Sequence, residues 1–156
     1  ENLADAEIKG YEFSSTISGD SILAGSWASV AFSYSDGEDG DGKTLSSVAP
    51  WSASANFSYD SPSDLWGTSL RVKHYSGADE SDFEEGTQVV TGSATVLDLT
   101  AYLQITDEFV IRAGIFNLTD KKWYRWGNIK GVAPDAELDL YAEAKRSFTL
   151  TAKYDF

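Results

Sequence analysis

Residues 97–105 constrain the chain more than any other stretch. Leu97, Leu99, Ala101, Leu103 and Ile105 take every second position, with Asp98, Thr100, Tyr102 and Gln104 between them. A period of two places the apolar set on one face of an extended strand, whereas a helix would scatter it around the axis. The alternation recurs. In 109–116, Phe109, Ile111, Ala113 and Ile115 oppose Arg112 and Gly114, accompanied by Val110 and Phe116. The last nine residues set Phe148, Leu150, Ala152, Tyr154 and Phe156 against Thr149, Thr151, Lys153 and Asp155. Earlier, Trp51, Ala53, Ala55, Phe57 and Tyr59 form one such face, and Trp66, Thr68, Leu70 and Val72 another. Ala24, Ala28, Val30, Phe32 and Tyr34 line a long strand beginning near Ile22, and Tyr11, Phe13, Ser15 and Ile17 do so near the start. The pattern predicts roughly seven strands of about nine to thirteen residues, the reach of tilted membrane-spanning strands. Soluble sandwiches use strands of about five or six.

The connections alternate in length. Segments 18–21, 60–64 and 106–108 are short, while 36–48, 76–92 and 118–144 are long and polar. Short turns at one end and long loops at the other mark an outer-membrane barrel, with the short turns periplasmic. The fold expected is therefore all-β, a transmembrane antiparallel β-barrel. Strand parity then starts the chain on the extracellular side, although complete bacterial barrels have even strand numbers and periplasmic termini. Seven strands also leave two unpaired edges in lipid. The expectation is that residues 1–156 form one segment of a larger barrel. The chain opens at Glu1 without a signal peptide, which suits a mature or truncated product.

No run of about eighteen apolar residues exists to form a transmembrane helix, and mean hydropathy is −0.29. Barrel strands escape that measure, because lipid-facing and lumen-facing residues cancel. The net charge of −13 argues against a nucleic-acid partner, which requires a cationic surface. With no cysteine there is no thiolate metal site, disulfide or cysteine nucleophile. No catalytic constellation of serine and histidine base appears, the one histidine lying on the apolar face of its strand, and there is no phosphate loop, so the chain does not read as an enzyme. A self-contained eight-strand barrel with a structural or adhesion role, and a soluble β-sandwich binding module, are the alternative architectures.

Residues 114–124, Gly-Ile-Phe-Asn-Leu-Thr-Asp-Lys-Lys-Trp-Tyr, resemble a stretch near the end of the barrel in TonB-dependent outer-membrane receptors, and most closely their haem/haemoglobin and transferrin/lactoferrin branch. Trp126 and Gly131 sit where such receptors carry them. Asn2, Ala6, Ile8, Gly10, Tyr11 and Glu12 resemble the opening of a barrel strand in that family, and Val48-Ala49-Pro50 a turn leading into another. The Lys145-Arg146-Ser147-Phe148 element matches only in part, because Ala144 and Lys145 replace the family's Pro and Gly. The resemblance implies about the last third of a barrel of roughly twenty-two strands surrounding a plug, with the plug and the N-terminal barrel strands outside this sequence. It implies uptake of haem or another iron-bearing ligand as cargo, with a siderophore as the alternative, and no intrinsic cofactor. TonB (acting through the missing N-terminal part), lipopolysaccharide, the barrel-assembly machinery and a haem-carrying host protein are the implied partners. The terminal strand, through Phe148, Leu150, Tyr154 and Phe156, resembles the assembly signal that machinery reads.

Trp123, Tyr124 and Trp126 lie in the longest loop and are candidate ligand contacts, although rings near strand ends also form the aromatic girdle of a barrel. Tyr75 points to the lumen or loop zone, where it either ligates iron or sits at the interface. His74, the only histidine, continues the apolar face of its strand and is expected to point to lipid or the upper interface rather than to a haem iron. The acidic run 36–42 lacks the alternation and distal glutamate of a calcium loop. It reads, like 79–85, as a solvated acidic loop. Asn117-Leu118-Thr119 is formally a glycosylation sequon but belongs to a strand end.

Overall fold

The computed structural model describes residues 5–78 and 89–156. Seven strands, β1 (Ala6–Ser18), β2 (Ser26–Asp39), β3 (Ser52–Asp60), β4 (Trp66–Tyr75), β5 (Ala94–Gln104), β6 (Phe109–Phe116) and β7 (Ser147–Tyr154), form one antiparallel sheet in sequence order. Each strand pairs with its neighbour in the chain, and β1 and β7 remain the edges.

The register aligns the apolar positions of all seven strands. Leu99 pairs with Leu70 on one side and Ile115 on the other. Leu70 pairs with Phe57, Phe57 with Ala28, and Ala28 with Ile17; Ile115 pairs with Phe148. Directly opposed residues share a face, so one surface is apolar from edge to edge. Its large side chains are uncovered: Phe13 is 59% exposed, Phe57 55%, Phe148 71% and Leu150 77%. Water would penalise such a surface at about 25 cal/mol per Å² of apolar area, whereas hydrocarbon does not. This face is the lipid face.

The opposite face is polar and looks into the lumen. Asn56 Nδ2 donates to Ser58 Oγ (2.8 Å), Ser58 Oγ to Ser69 Oγ (2.9 Å), and Ser69 Oγ back to Asn56 Oδ1 (2.7 Å). Lys73 Nζ donates to Asp98 Oδ2 at 2.8 Å. Near the short turns the Tyr102 hydroxyl donates to Asp60 Oδ1 (3.0 Å) across Gly67. A Cβ at Gly67 would lie 2.4 Å from both the Tyr102 ring and the Asp60 carboxylate, so only glycine lets the ring cross there.

The short connections are tightly bonded. Gly25, at φ 83°, sits against the Asp60 carbonyl, and Asp60 N–H donates to the Gly25 carbonyl (2.8 Å), tying the first turn to the second. Asp20 accepts from the Ser18 hydroxyl (2.7 Å) and from Gly25 N–H (2.8 Å). These two donors hold its carboxyl below the usual carboxylate range.

Several boundaries differ from expectation. β5 runs Ala94–Gln104 rather than 97–105, its start drawn back by pairing of Ala94–Val96 with Lys73–Tyr75. β1 starts at Ala6, and its pairing of Ala6–Lys9 with Asp36–Asp39 draws the first acids of the 36–42 run into β2. The rest of that run is a turn in which Asp39 Oδ1 accepts from the amides of Asp41 (3.0 Å) and Lys43 (2.9 Å). β2 begins at Ser26 rather than near Ile22, because residues 19–25 are taken up by the turn that Asp20 caps. The long third loop holds a helical turn at Trp126–Ile129 and a 3-10 turn at Leu138–Tyr141, neither visible in the alternation. Asn2 and the acidic run 79–85 lie outside the described residues.

Candidate ligand-facing loops

All three long connections emerge from the same end of the sheet, and the third is built around one asparagine. Asn117 follows β6 with φ 52°, a conformation asparagine tolerates better than most residues. Its backbone N–H donates to Asp98 Oδ1 (3.0 Å). Its side chain accepts from Lys121 N–H (3.0 Å) and donates to the carbonyls of Lys121 (2.8 Å) and Ala144 (3.1 Å). Asn117 is 3% exposed and clasps the outgoing and returning ends of the loop together. Asp120, also at positive φ (55°), accepts from Arg146 N–H (2.9 Å). The Asn-Leu-Thr-Asp-Lys stretch is thus a loop root, and its glycosylation reading falls away because the amide nitrogen is already used.

From this root the loop folds inward. Trp123 is buried against Ala94 and Val96, both on the lumenal register of β5, and its ring stacks on Tyr75 with centroids 4.9 Å apart and planes at 17°. The Arg125 guanidinium lies 5.6 Å from the centroids of both rings. Arg125 Nε donates to Glu143 Oε1 (2.8 Å), which also accepts from Asn128 Nδ2 (3.2 Å), while Glu143 N–H donates to the Trp123 carbonyl (2.9 Å). The Glu143 carboxylate raises the Arg125 pKa further above its already high ordinary value. Lys122 is paired with Asp139, which raises its pKa in the same way.

Trp126 belongs to a second small core. It packs with Val89 and Ile129, with Tyr124, Leu138 and Tyr141 around them. Its indole Nε1 donates to the Ser46 carbonyl (3.0 Å) in the first long connection, and Val89 N–H donates to the Val132 carbonyl (2.9 Å). All three long connections are therefore joined by hydrogen bonds or packing.

The four aromatic candidates divide accordingly. Trp123 is buried against the wall strands β4 and β5, Trp126 is buried in packing between loops, Tyr75 and Tyr124 are half-buried, and Arg125 between the two tryptophans in sequence is exposed. The sequence reading passed over Arg125; its flanking by aromatic residues on both sides was the available signal. His74 lies on the outward face between Ala53 and Thr95, stacked on Trp51 at 4.9 Å and sharing a hydrogen bond with Thr95 Oγ1 (2.9 Å). Among the described residues no three metal-ligating acids or histidines gather.

An open meander with an unbroken apolar face, a polar inner face and long loops at one end is the wall of a membrane-spanning antiparallel β-barrel. The family described as TonB dependent receptor-like, beta-barrel matches residues 1–118, and the chain belongs to that family of bacterial outer-membrane proteins. Relatives include the hemoglobin-haptoglobin utilization protein B of Neisseria meningitidis serogroup C, 30% identical over 147 residues covering 85% of this chain and 18% of the relative. The hemoglobin and hemoglobin-haptoglobin-binding protein A of Haemophilus influenzae is 28% identical over 147 residues, 85% of this chain and 14% of the relative. Among solved structures, the copper transporter OprC superposes with a TM-score of 0.80 at 17% identity, covering 97% of this chain and 24% of that one. The ferripyoverdine receptor of Pseudomonas aeruginosa superposes at 0.72 with 19% identity, covering 97% and 20%. The chain thus spans less than a fifth of the length of these two curated relatives.

Proposed function

We propose that this chain is the C-terminal part of the barrel of a TonB-dependent receptor that carries haem or another iron-bearing ligand across the outer membrane. The observation that carries the reading is the convergence of all three long connections over the lumenal side of the wall, where Trp123 packs on β5 instead of turning outward. Loops drawn inward in this way line the entrance to the lumen. The relatives, named for the binding or utilization of haemoglobin and haptoglobin, support haem as the cargo and a haem-carrying host protein as its source.

In this reading the ligand is cargo and the protein keeps no resident cofactor. TonB acts through the N-terminal part of the receptor, and lipopolysaccharide surrounds the apolar face. The barrel-assembly machinery recognises β7 through Phe148, Leu150, Tyr154 and Phe156 by strand addition, in which main-chain hydrogen bonds give affinity and alternate side chains give specificity.

Growth of cells supplied with haem or haemoglobin as sole iron source tests the function. Cells carrying the full-length receptor should grow only when both the receptor and TonB are present. Growth on a ferric siderophore alone would reassign the cargo, and growth indifferent to the receptor would remove the transport reading.

A further inference from the structure

A cavity of about 240 Å³ opens where the three long connections meet, lined among others by Pro50, Ser52, Tyr75, Tyr124, Arg125 and Trp126. Ser52 and Tyr75 are a register pair, and Tyr75 also pairs with Ala94, against which Trp123 packs. The cavity therefore belongs to the lumenal side of the wall at its extracellular rim. Its lining is aromatic and small-polar, and Arg125 is the one charged side chain among the described lining residues.

Arg125 is fixed from two directions. Its guanidinium rests beside the rings of Tyr75 and Trp123, and its Nε is bonded to Glu143. Of the five N–H donors of a guanidinium, only the Nε one has an acceptor among the described residues; the two terminal nitrogens have none. Those terminal nitrogens form the fork that matches a carboxylate in a two-point contact. The side-chain entropy that such a contact normally costs has already been lost to the stacking and to Glu143. In a chain of net charge −13 whose loops are acidic elsewhere, this guanidinium shares its Nε edge with Glu143 and keeps its terminal fork as the anion-accepting group of the cavity.

The geometry points to a binding site for the carboxylate-bearing edge of a flat aromatic ligand, with Arg125 taking the carboxylate and Tyr124 and Trp126 walling the adjacent ring edge. This rests on the uptake reading above and adds to it the contact that discriminates the ligand. The volume is below the roughly 300–1,000 Å³ of a site that encloses a whole drug-sized molecule, so the site grips one edge and leaves the body of the ligand in the lumen. Haem, a flat macrocycle with two propionates, is of this class.

Titration of the full-length receptor in detergent with haem and with haem dimethyl ester, which lacks the free carboxylates, tests the assignment. The wild type should bind haem more tightly than the ester. Arg125→Gln should weaken haem about tenfold or more, the loss of a charge-assisted bond, and leave the ester unchanged. Arg125→Lys should recover part of the difference, because it keeps the charge without the fork. Equal weakening of haem and ester by Arg125→Gln would make Arg125 a loop brace and overturn the site. Unchanged haem affinity in that variant would overturn the site while leaving the uptake reading intact. A wild-type receptor that binds neither compound would overturn both.

Discussion

The ring of Tyr75, the last residue of β4, lies nearly parallel to that of Trp123, with centroids 4.9 Å apart and an interplanar angle of 17°. One ring belongs to the rigid wall and the other to the longest loop, so the stack fixes the loop's position over the lumen. Offset or parallel aromatic pairs contribute about 0.5–1.5 kcal/mol beyond the area they bury.

Trp123→Ala should release the third loop without unfolding the barrel. Truncating a buried tryptophan costs about 3–5 kcal/mol, which exceeds what a loop held by a few polar contacts can absorb. Limited proteolysis of the full-length receptor should show new cleavage within 117–146 while the protein keeps its heat-modifiable mobility. Wild-type resistance in that segment would show that the stack does not hold the loop.

Charge on the two faces should separate cleanly. Leu99→Arg, at the middle of β5, places a guanidinium in mid-membrane hydrocarbon and should cost about 2–4 kcal/mol, and Leu103→Arg, one residue from the strand's end and paired with Trp66, somewhat less. Thr100→Arg and Gln104→Arg place it in the lumen and should cost far less. Equilibrium folding of the receptor into lipid vesicles measures both sets, and equal costs would contradict the register.

Asn117 has a backbone role and a side-chain role that two substitutions distinguish. Asn117→Gly keeps the positive φ and loses three side-chain hydrogen bonds of about 0.5–1.5 kcal/mol each. Asn117→Ala loses the same bonds and adds about 1–2 kcal/mol of left-handed strain. Amide exchange at Lys121 and Arg146 should accelerate in both variants and more in the alanine one. Equal rates in the two would remove the strain component.

The turn between β1 and β2 should respond to acid. The Ser18 hydroxyl and the Gly25 N–H lower the pKa of Asp20 below the ordinary carboxylate value in the folded state. The contribution of the ionised carboxylate is therefore fully present above the ordinary carboxylate range and is lost as pH falls through the lowered folded value. Exchange of the Gly25 amide, normalised for intrinsic rate, should gain protection as pH rises through this acid window and be flat in Asp20→Asn. An unchanged profile in that variant would assign the effect to another group.

The terminal strand should govern assembly without touching affinity. Tyr154 packs edge-on to Phe156 at 5.1 Å and beside Phe109 at 6.4 Å, so the aromatic cluster survives loss of its last member only in part. Tyr154→Ser with Phe156→Ser should slow appearance of the receptor at the cell surface in pulse-chase labelling. Molecules that do fold should bind ligand normally. Wild-type kinetics in the double variant would place the signal elsewhere.

The wall was legible because alternation and register obey the same period. Leu99 and Thr100 announce opposite faces in sequence, and the pairing of Leu99 with Leu70 and Ile115 carries that choice across the sheet. β6 has the predicted bounds, Phe109–Phe116, because turn residues and Asn117 delimit it. The loops were less legible, since their contacts join distant segments with no common period. Nothing in the sequence around Trp126 announces that its indole nitrogen will meet the Ser46 carbonyl. Likewise Asp98 reads as one more lumen-facing polar residue, although it also receives the Asn117 amide. The extension of β2 through Asp39 was missed for a related reason: acids signal a solvated loop locally, but pairing with Ala6–Lys9 outweighs that preference.

Asp98 offers one oxygen to Lys73 and the other to the root of the third loop. The two contacts share a single carboxylate, so they are thermodynamically linked. Anything in the lumen that draws Lys73 away leaves more negative charge on the group that receives the Asn117 amide, and tightens the loop root. A single substitution at Asp98 therefore reaches both the ion pair in the lumen and the root of a loop at the extracellular rim.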